Sequence, residues 1–380
     1  MTVISIDAKL DIRLAPFEQA HISSILALMN QEGWYYYDKK ELGRYLELEE
    51  SCFTLLHQEK VVGSIFTTNY GNQAWIGNVI VADETQAGFC YRNRGYAGKM
   101  IQHVMKVLSE KGVNTFRLGS VPTAIGAYKK VGFQAESFTT AQQASLPLDN
   151  RTSVPVLDKA ISVESMTPQD LINDVVRIDE TYFGSNRSAL FHQLHQDSIQ
   201  DSCLCLKDQG KIVGYIMIRR RSASKEEGQF AEGPDLVYRL GPSCVLPEYG
   251  VEGFKILLNE AIAPVNAEVR HSGMSAKIYV VFPQNGDKER IYADFEAMGG
   301  NHPEHVFNEH DHIFGDESLA KNDELWTHMQ SMGFKQEYFE QTMSVTAGEA
   351  SGLAPTERAG RHTLADTEGI FASATPGDKA

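Results

Sequence analysis

The chain has 380 residues, of which 42% are hydrophobic, and it carries a formal net charge of −15. That length favours two domains, and the excess of acidic residues argues against a nucleic-acid or anionic-membrane binder, because phosphate binding depends on Lys and Arg. No stretch reaches the roughly 18 apolar residues of a membrane span, and the first residues lack a secretory signal pattern, so we expect a cytoplasmic protein. Five cysteines without paired C-x-x-C spacing indicate reduced thiols.

The first 145 residues alternate between strand and helix patterns. Apolar residues at helical spacing predict four helices, at 17–30, 39–49, 95–112 and 124–132. Short apolar runs bounded by turn residues predict strands at 10–15, twice within 52–70, and at 74–82, 115–120 and 133–144. This order predicts an α/β architecture, with strands around two crossover helices.

The pattern then begins again after a linker near 146–158. The segment "KDQGKIVGYIMI" echoes "HQEKVVGSIF", and "MQSMGFKQEYFEQTMSV" echoes "YKKVGFQAESFTTA". Echoes at both ends predict a duplicated fold, with a first domain over 1–146 and a second over 159–346. Residues 347–380 are small and polar with one isolated apolar pair, so we expect a disordered tail.

The stretch "YRNRGYAGKM" at 91–100 places glycine and arginine at the start of a predicted helix. Glycine disfavours helix formation, so its presence there indicates a backbone that must come close to another group. Helix N-termini offer unpaired N–H groups and partial positive charge, which suit a pyrophosphate. The alternative is an ordinary glycine-rich helix start with solvated arginines.

Together, "RNRGYA", the later "AIGAYKKVGF" and the order of elements resemble the GNAT superfamily of acyl-CoA N-acyltransferases. The resemblance covers residues 8–145 in good order and 160–345 more weakly. It implies two tandem GNAT-like domains, each a mixed, mostly antiparallel sheet flanked by helices, and acetyl-CoA as co-substrate. The implied cofactor-binding residues are Val79, Ile80, Val81, Arg92, Asn93, Arg94, Gly95, Tyr96, Ala97 and Gly98.

The resemblance also assigns Tyr128 as the proton donor to the CoA sulfur, whereas a core tyrosine on an amphipathic helix is the alternative. The general base stays open. The strand "WIGNVIV" offers Asn78 as its polar side chain, which leaves a water chain or the nearby Asp83 and Glu84. Two departures from the family pattern are the long segment "ADETQAGFCY" and Val121 at a position where asparagine is frequent.

The acceptor site is expected near "EGWYYYDKKE" at 32–41, where Trp34 and Tyr36 could form an apolar or cation-binding wall with Asn78 beside it. Core packing of these aromatic residues is equally open. The second domain lacks the Arg-x-x-Gly-x-Gly pattern and has Met329 in the position of Tyr128. It resembles the degenerate domain of tandem-GNAT proteins, in which Arg187 of "FGSNRSALF" would contact the acceptor pocket.

Four histidines in "HPEHVFNEHDHIF" suggest a metal site at first sight, namely His302, His305, His310 and His312. Their spacing is irregular and Pro303 disfavours a shared helical face, so we favour a polar loop and expect no metal.

The sequence therefore predicts an N-acetyltransferase that transfers an acetyl group directly, within a ternary complex, to a primary amine of a small-molecule or amino-acid-like acceptor. Neither a nucleic acid nor a membrane is an expected partner, and no pattern indicates the oligomeric state. The alternatives are a noncatalytic acyl-CoA-binding regulatory module and a protein lysine acetyltransferase.

Overall fold

The computed structural model describes residues 3–32, 34, 37–47, 51–83, 89–148, 160–221, 235–283, 320–347 and 370–372. The helices are α1 (Ile22–Gln31), α2 (Lys39–Glu47), α3 (Tyr96–Ser109), α4 (Ile125–Lys129), α5 (Pro168–Asp170), α6 (Val176–Phe183), α7 (Ser188–Asp197), α8 (Gly250–Ser272) and α9 (Ala320–Ser331). The strands of the first half are β1 (Ile4–Asp7), β2 (Ile12–Pro16), β3 (Phe53–His57), β4 (Lys60–Asn69), β5 (Gln73–Val81), β6 (Thr115–Ser120) and β7 (Gln134–Leu146). Those of the second half are β8 (Ile161–Ser165), β9 (Ser198–Asp208), β10 (Lys211–Arg221), β11 (Leu236–Val245), β12 (Ala276–Pro283), β13 (Lys335–Thr346) and β14 (Ile370–Ala372).

All of these strands belong to one continuous sheet. Its order is β1-β2-β3-β4-β5-β6-β13-β7-β12-β11-β10-β9-β8, and β14 pairs with β11 outside this path. The pairs β5–β6 and β11–β12 are parallel, and the other neighbours in the described sheet are antiparallel. The predicted fold class of a mixed, mostly antiparallel sheet flanked by helices is confirmed.

Turns at matched positions show that the two halves repeat one backbone plan. The β3–β4 hairpin turns through Gln58 and Glu59 at φ 47° and 65°, and the β9–β10 hairpin turns through Gln209 and Gly210 at φ 47° and 79°. After α4 the amide of Phe133 donates to Tyr128 O at 3.2 Å. After α9 the amide of Phe334 donates to Met329 O at 3.1 Å, so the sequence echo is also an echo in structure.

Strands β7 and β13 each cross from one half of the chain into the other. Strand β13 lies between β6 and β7, and β7 lies between β13 and β12. Strand β7 begins with Ala135 in the core of the first half and ends with Leu146 in the core of the second. Strand β13 begins after Phe334 in the second core and carries Met343 into the first. The predicted domain boundary at residue 146 follows the chain, but the packing crosses it.

A third hydrophobic cluster joins the halves, with Tyr70 and Trp75 of the first half packed against α6, α7 and β10 of the second. Hydrogen bonds accompany it, since Gln73 Nε2 donates to Ser185 Oγ at 2.7 Å and Ser185 Oγ donates to Asn72 Oδ1 at 2.8 Å. The segment that follows α6 is therefore fixed against the start of β5.

The predicted disordered tail is wrong for Ile370–Ala372, which form β14 beside β11. The rest of 348–380 and the histidine-rich segment 302–312 lie outside the described residues. Within the described residues, no helix is long and apolar enough to cross a membrane, and no group of three His, Cys, Asp or Glu side chains could hold a metal ion. All five cysteines are free thiols, as expected from their spacing.

Candidate cofactor cleft and acceptor site

The central parallel strands of the first half diverge after a short paired stretch. Strands β5 and β6 pair at Gln73–Trp75 with Thr115–Arg117. Beyond that stretch β5 contains a bulge, because Phe66 of β4 faces Gly77 whereas Ser64 faces Ile80. The bulge places Asn78 at φ 50°, in the left-handed region that Asn tolerates better than most residues. A cleft opens where the two strands separate.

Helix α3 begins at one end of this cleft with Gly95 as its N-cap, at φ 74°. A Cβ at Gly95 would meet no heavy atom within 4 Å, so the space in front of the helix is open. Asn93 is also left-handed, at φ 62°. Because the first amides of an α-helix have no intrahelical acceptor, they are available to an anion in the cleft.

The cleft has a volume of about 1040 Å³, which is large enough for an extended cofactor. All of the predicted cofactor-binding residues line it apart from Arg94. Those lining residues are Val79, Ile80, Val81, Arg92, Asn93, Gly95, Tyr96, Ala97 and Gly98. The structure thus brings together strand β5 and the start of α3, which the sequence places apart.

The two arginines of "RNRGYA" have different surroundings. Arg92 lines the cleft, donates from Nε to Val81 O at 3.0 Å and forms an ion pair with Glu32. Arg94 turns away from the cleft, because its guanidinium lies 4.2 Å from the centre of the Phe89 ring and its Nε donates to Cys90 O. Arg94 therefore does not line the cleft, and its contact with the cofactor stays a prediction.

Further cations lie in the cleft wall that the sequence analysis did not single out. Lys99 and Lys130 both line the cleft, and Lys99 Nζ donates to Ile6 O at 2.9 Å. Lys99 could have been identified from the sequence, because it is the fourth residue of the helix that follows Gly95. These charges suit a phosphate-bearing ligand.

Tyr128 lies in α4, which follows β6, and it lines the cleft across from β5. Its ring packs edge-on against Phe133, with 6.2 Å between the ring centres. Val121, which stands where the family often has asparagine, also lines the cleft. Tyr128 is thus half-buried in a core contact and open to the cleft at the same time.

Asn78 and Tyr37 form a buried pair in the cleft wall. Tyr37 OH donates to Asn78 Oδ1 at 2.6 Å, and Ser64 Oγ donates to the backbone oxygen of Asn78 at 3.1 Å. Trp34 also lines the cleft, its acceptor contact stays a prediction, and Tyr36 lies outside the described residues. Sequence reasoning missed Tyr37, although the run of four aromatic residues contained it.

Two other tyrosines of the wall are held by polar contacts. Burial raises the pKa of Tyr91, whose hydroxyl lies 2.5 Å from His57 Nδ1. Burial and then the Asp7 carboxylate raise the pKa of Tyr96, whose hydroxyl donates to Asp7 Oδ2 at 3.3 Å. Both phenols are protonated at neutral pH and serve as structural contacts.

Arg187, the predicted acceptor contact of the second half, does not line the cleft. Its side chain is fully buried, with Nε 2.8 Å from Asp179 Oδ2, and its guanidinium lies 3.8 Å from the centre of the Phe183 ring. Burial alone would lower the pKa of Arg187, but the Asp179 charge raises it by more. Arg187 therefore joins the start of α7 to α6, away from the cleft.

The diverging parallel strands, the bulge and the helix that begins after Gly95 together form one site in the first half of the chain. Residues 20–133, which contain most of the cleft, match the model of the Acetyltransferase (GNAT) family. Over these residues, which carry the cleft, the chain is similar to the GNAT family.

Individual relatives agree with this assignment. The chain is 26% identical over 211 residues to the uncharacterized N-acetyltransferase YitH of Bacillus subtilis, covering 53% of this chain and 66% of that protein. A tandem GNAT protein from the clavulanic acid biosynthesis pathway has a TM-score of 0.55 at 12% identity, over 91% of this chain and all of the other. A GCN5-related N-acetyltransferase from Sphaerobacter thermophilus has a TM-score of 0.53 at 10% identity, over 88% and 96% of the two chains. The two structures show the same fold.

Proposed function

We propose that the protein is an N-acetyltransferase that moves the acetyl group of acetyl-CoA to a primary amine of a small-molecule or amino-acid-like acceptor. The observation that carries the proposal is the open cleft between β5 and β6, with the start of α3 at one end and the Asn78–Tyr37 pair in its wall. The match of residues 20–133 to the Acetyltransferase (GNAT) family supports the reaction class.

The contacts around the cleft support one direction for the bound cofactor. The start of α3 would hold the pyrophosphate, and Arg92 ties that segment to Val81. The pantetheine arm would run along Val79–Val81, where β5 has already separated from β6. Moving from Val81 back to Val79 leads away from the phosphates, so the thioester would lie near the bulge at Asn78.

Direct transfer needs no covalent enzyme intermediate. The amine nitrogen forms a bond to the thioester carbon while the carbonyl electron pair moves onto oxygen. That pair then re-forms the carbonyl, the C–S bond breaks, and the thiolate takes a proton, which we assign to the Tyr128 hydroxyl. The surplus proton of the amine leaves to solvent, and the Tyr128 phenolate regains a proton from solvent before the next turnover.

The contact between the halves favours a small acceptor over a protein. Helix α7 of the second half lies beside α2, with Gln193 Nε2 3.4 Å from Glu47 Oε2. The second half therefore packs near the segment that carries Trp34 and Tyr37, on the acceptor side. An open groove for a peptide would require that side to be clear.

The test is turnover of acetyl-CoA with a panel of small amines, amino acids and a lysine peptide, following free CoA thiol and the mass of each product. We expect acetylated small amines and no acetylated peptide. Acetylated peptide alone would favour a protein lysine acetyltransferase. Acetyl-CoA binding by calorimetry without any product would favour a noncatalytic module.

A further inference from the structure

Within the described residues, the side-chain amide of Asn78 has a hydrogen bond at its oxygen and none at its nitrogen. Asn78 is 4% exposed, and its Oδ1 accepts the hydrogen bond of Tyr37. Its Nδ2 is buried and has no hydrogen-bond partner within the part of the chain that the structure describes. A buried donor without a partner is unfavourable, because it has lost its water without gaining an acceptor. Asn78 also lines the cleft, so a bound ligand could supply the missing oxygen.

The surrounding contacts hold this donor in one orientation. The bulge gives Asn78 its left-handed backbone, and Ser64 Oγ binds its carbonyl oxygen. Tyr37 is 3% exposed and fixes the side chain through Oδ1, which leaves Nδ2 as the free end. A donor fixed before the ligand arrives requires no reorganisation during the reaction, which is the property that makes such donors effective in catalysis.

We propose that Asn78 Nδ2 donates a hydrogen bond to the acetyl carbonyl oxygen and stabilises the negative charge that develops there during transfer. This inference rests on the proposed function and on the cofactor direction derived above, which places the thioester next to the bulge. The amine forms the C–N bond, the carbonyl pair moves to the oxygen facing Asn78, and its return expels the CoA thiolate. Asn78 itself gains and loses no proton.

The decisive variant is Asn78→Asp, which keeps the shape of the side chain and the oxygen that accepts from Tyr37. It replaces the NH₂ group by oxygen, and Asp tolerates a left-handed backbone. Asn78→Gly removes the side chain and is relaxed at φ 50°. Asn114→Asp, at an exposed position outside the cleft lining, is the matched control.

The first measurement is the infrared carbonyl band of bound acetyl-CoA labelled with ¹³C at the carbonyl. A hydrogen bond from Nδ2 shifts this band to lower frequency in the wild-type protein, and we expect the shift to vanish in Asn78→Asp and Asn78→Gly. The second is kcat with one good amine, which we expect to fall by about a hundredfold or more in both variants, the scale of one lost oxyanion donor. Asn114→Asp should leave both values unchanged.

The possible results of these measurements distinguish a failure of this inference from a failure of the proposed function. If the wild-type protein turns over but the carbonyl band is the same in all variants, Asn78 does not contact the carbonyl and the inference is overturned. If Asn78→Asp loses activity only with acceptors that carry an oxygen beside the amine, the donor binds the acceptor instead, which also overturns it. A wild-type protein that binds no acetyl-CoA would overturn the proposed function itself.

Discussion

The two halves of the chain share a backbone plan and differ in what lies beside the central strand of each. Gly63 pairs with Val81 in the first half and Gly214 with Val245 in the second, so these residues mark equivalent points of β5 and β11. In the first half this stretch faces the open cleft, whereas in the second half Ser243–Val245 pair with β14. A space that suits a pantetheine arm in one copy holds a strand of the chain itself in the other.

The starts of α3 and α8 also differ in how well they suit a phosphate-bearing ligand. Both α3 and α8 begin at a left-handed glycine, Gly95 at φ 74° and Gly250 at φ 51°. Before Gly250, Pro247 and Tyr249 stand at the positions that the two arginines occupy before Gly95. A hydrogen bond from Tyr249 to Asp208 raises the pKa of this tyrosine to about 12. The second half therefore has the left-handed glycine of the first half without the arginines that suit a phosphate.

The strongest test of this difference places the same carboxylate at both helix starts. We expect Gly95→Asp to weaken acetyl-CoA binding by more than about a hundredfold, because a carboxylate against a pyrophosphate costs several kcal/mol. Gly250→Asp should bind normally by calorimetry. Gly95→Asn controls for the backbone, since it has the same shape without the charge. Equal losses from both Asp variants would mean that the second half binds the cofactor as well.

The next effect concerns Tyr128 and its counterpart. Tyr128→Phe keeps the ring against Phe133 and removes the hydroxyl, so kcat should fall by about a hundredfold while KM for acetyl-CoA and the melting temperature change little. Rapid-quench measurement of the chemical step gives the relevant rate. Unchanged chemistry in Tyr128→Phe would assign thiolate protonation to solvent.

Met329 tests the same comparison in the second half, where it stands in the position of Tyr128. It is fully buried in the second core, so Met329→Ala should lower the free energy of unfolding by about 2–5 kcal/mol, as for other large apolar side chains. The rate of acetyl transfer by the folded fraction should be normal. Denaturant unfolding and single-turnover kinetics on one sample would show a catalytic role if the rate fell instead.

The smallest expected effect is that of the tail. Ending the chain after residue 360 removes β14 and leaves the outer edge of Ser243–Val245 without its partner. We expect the melting temperature to fall by about 2–4 °C, the shift that 1 kcal/mol produces in a domain of this size, with KM for acetyl-CoA unchanged. An identical melting curve would show that β14 contributes nothing to the second half.

The local sequence pattern was sufficient to predict most helices and strands of the first half and the start of α3. The periodicity of 95–112 and the glycine before it predicted α3, because helix periodicity and capping depend on neighbours in the chain. The exchange of β7 and β13 could not be predicted this way. The two strands echo each other in sequence, so either one satisfies the pattern beside β6, and the choice depends on contacts far apart in the chain.

The features of the candidate site also divide into those set by neighbouring residues and those set by contacts between distant segments. Val79–Val81 and the α3 start were predictable, whereas the Tyr37–Asn78 bond and the Arg92–Glu32 pair join residues from distant segments. The sequence also contains a sign that Arg187 forms a buried ion pair. Asp179 stands four residues after Val175 and four before Phe183, on a buried stripe, and a charge there requires a buried partner.

The strand exchange has a consequence for how the protein is made. Strand β6 emerges early from the ribosome, yet its partner β13 lies about two hundred residues later in the chain. At synthesis rates of about 5–20 residues per second, the edge of β6 stays unpaired for on the order of ten seconds or more. An unpaired strand edge can pair with other chains, so this edge of β6 is protected only once β13 has been synthesised.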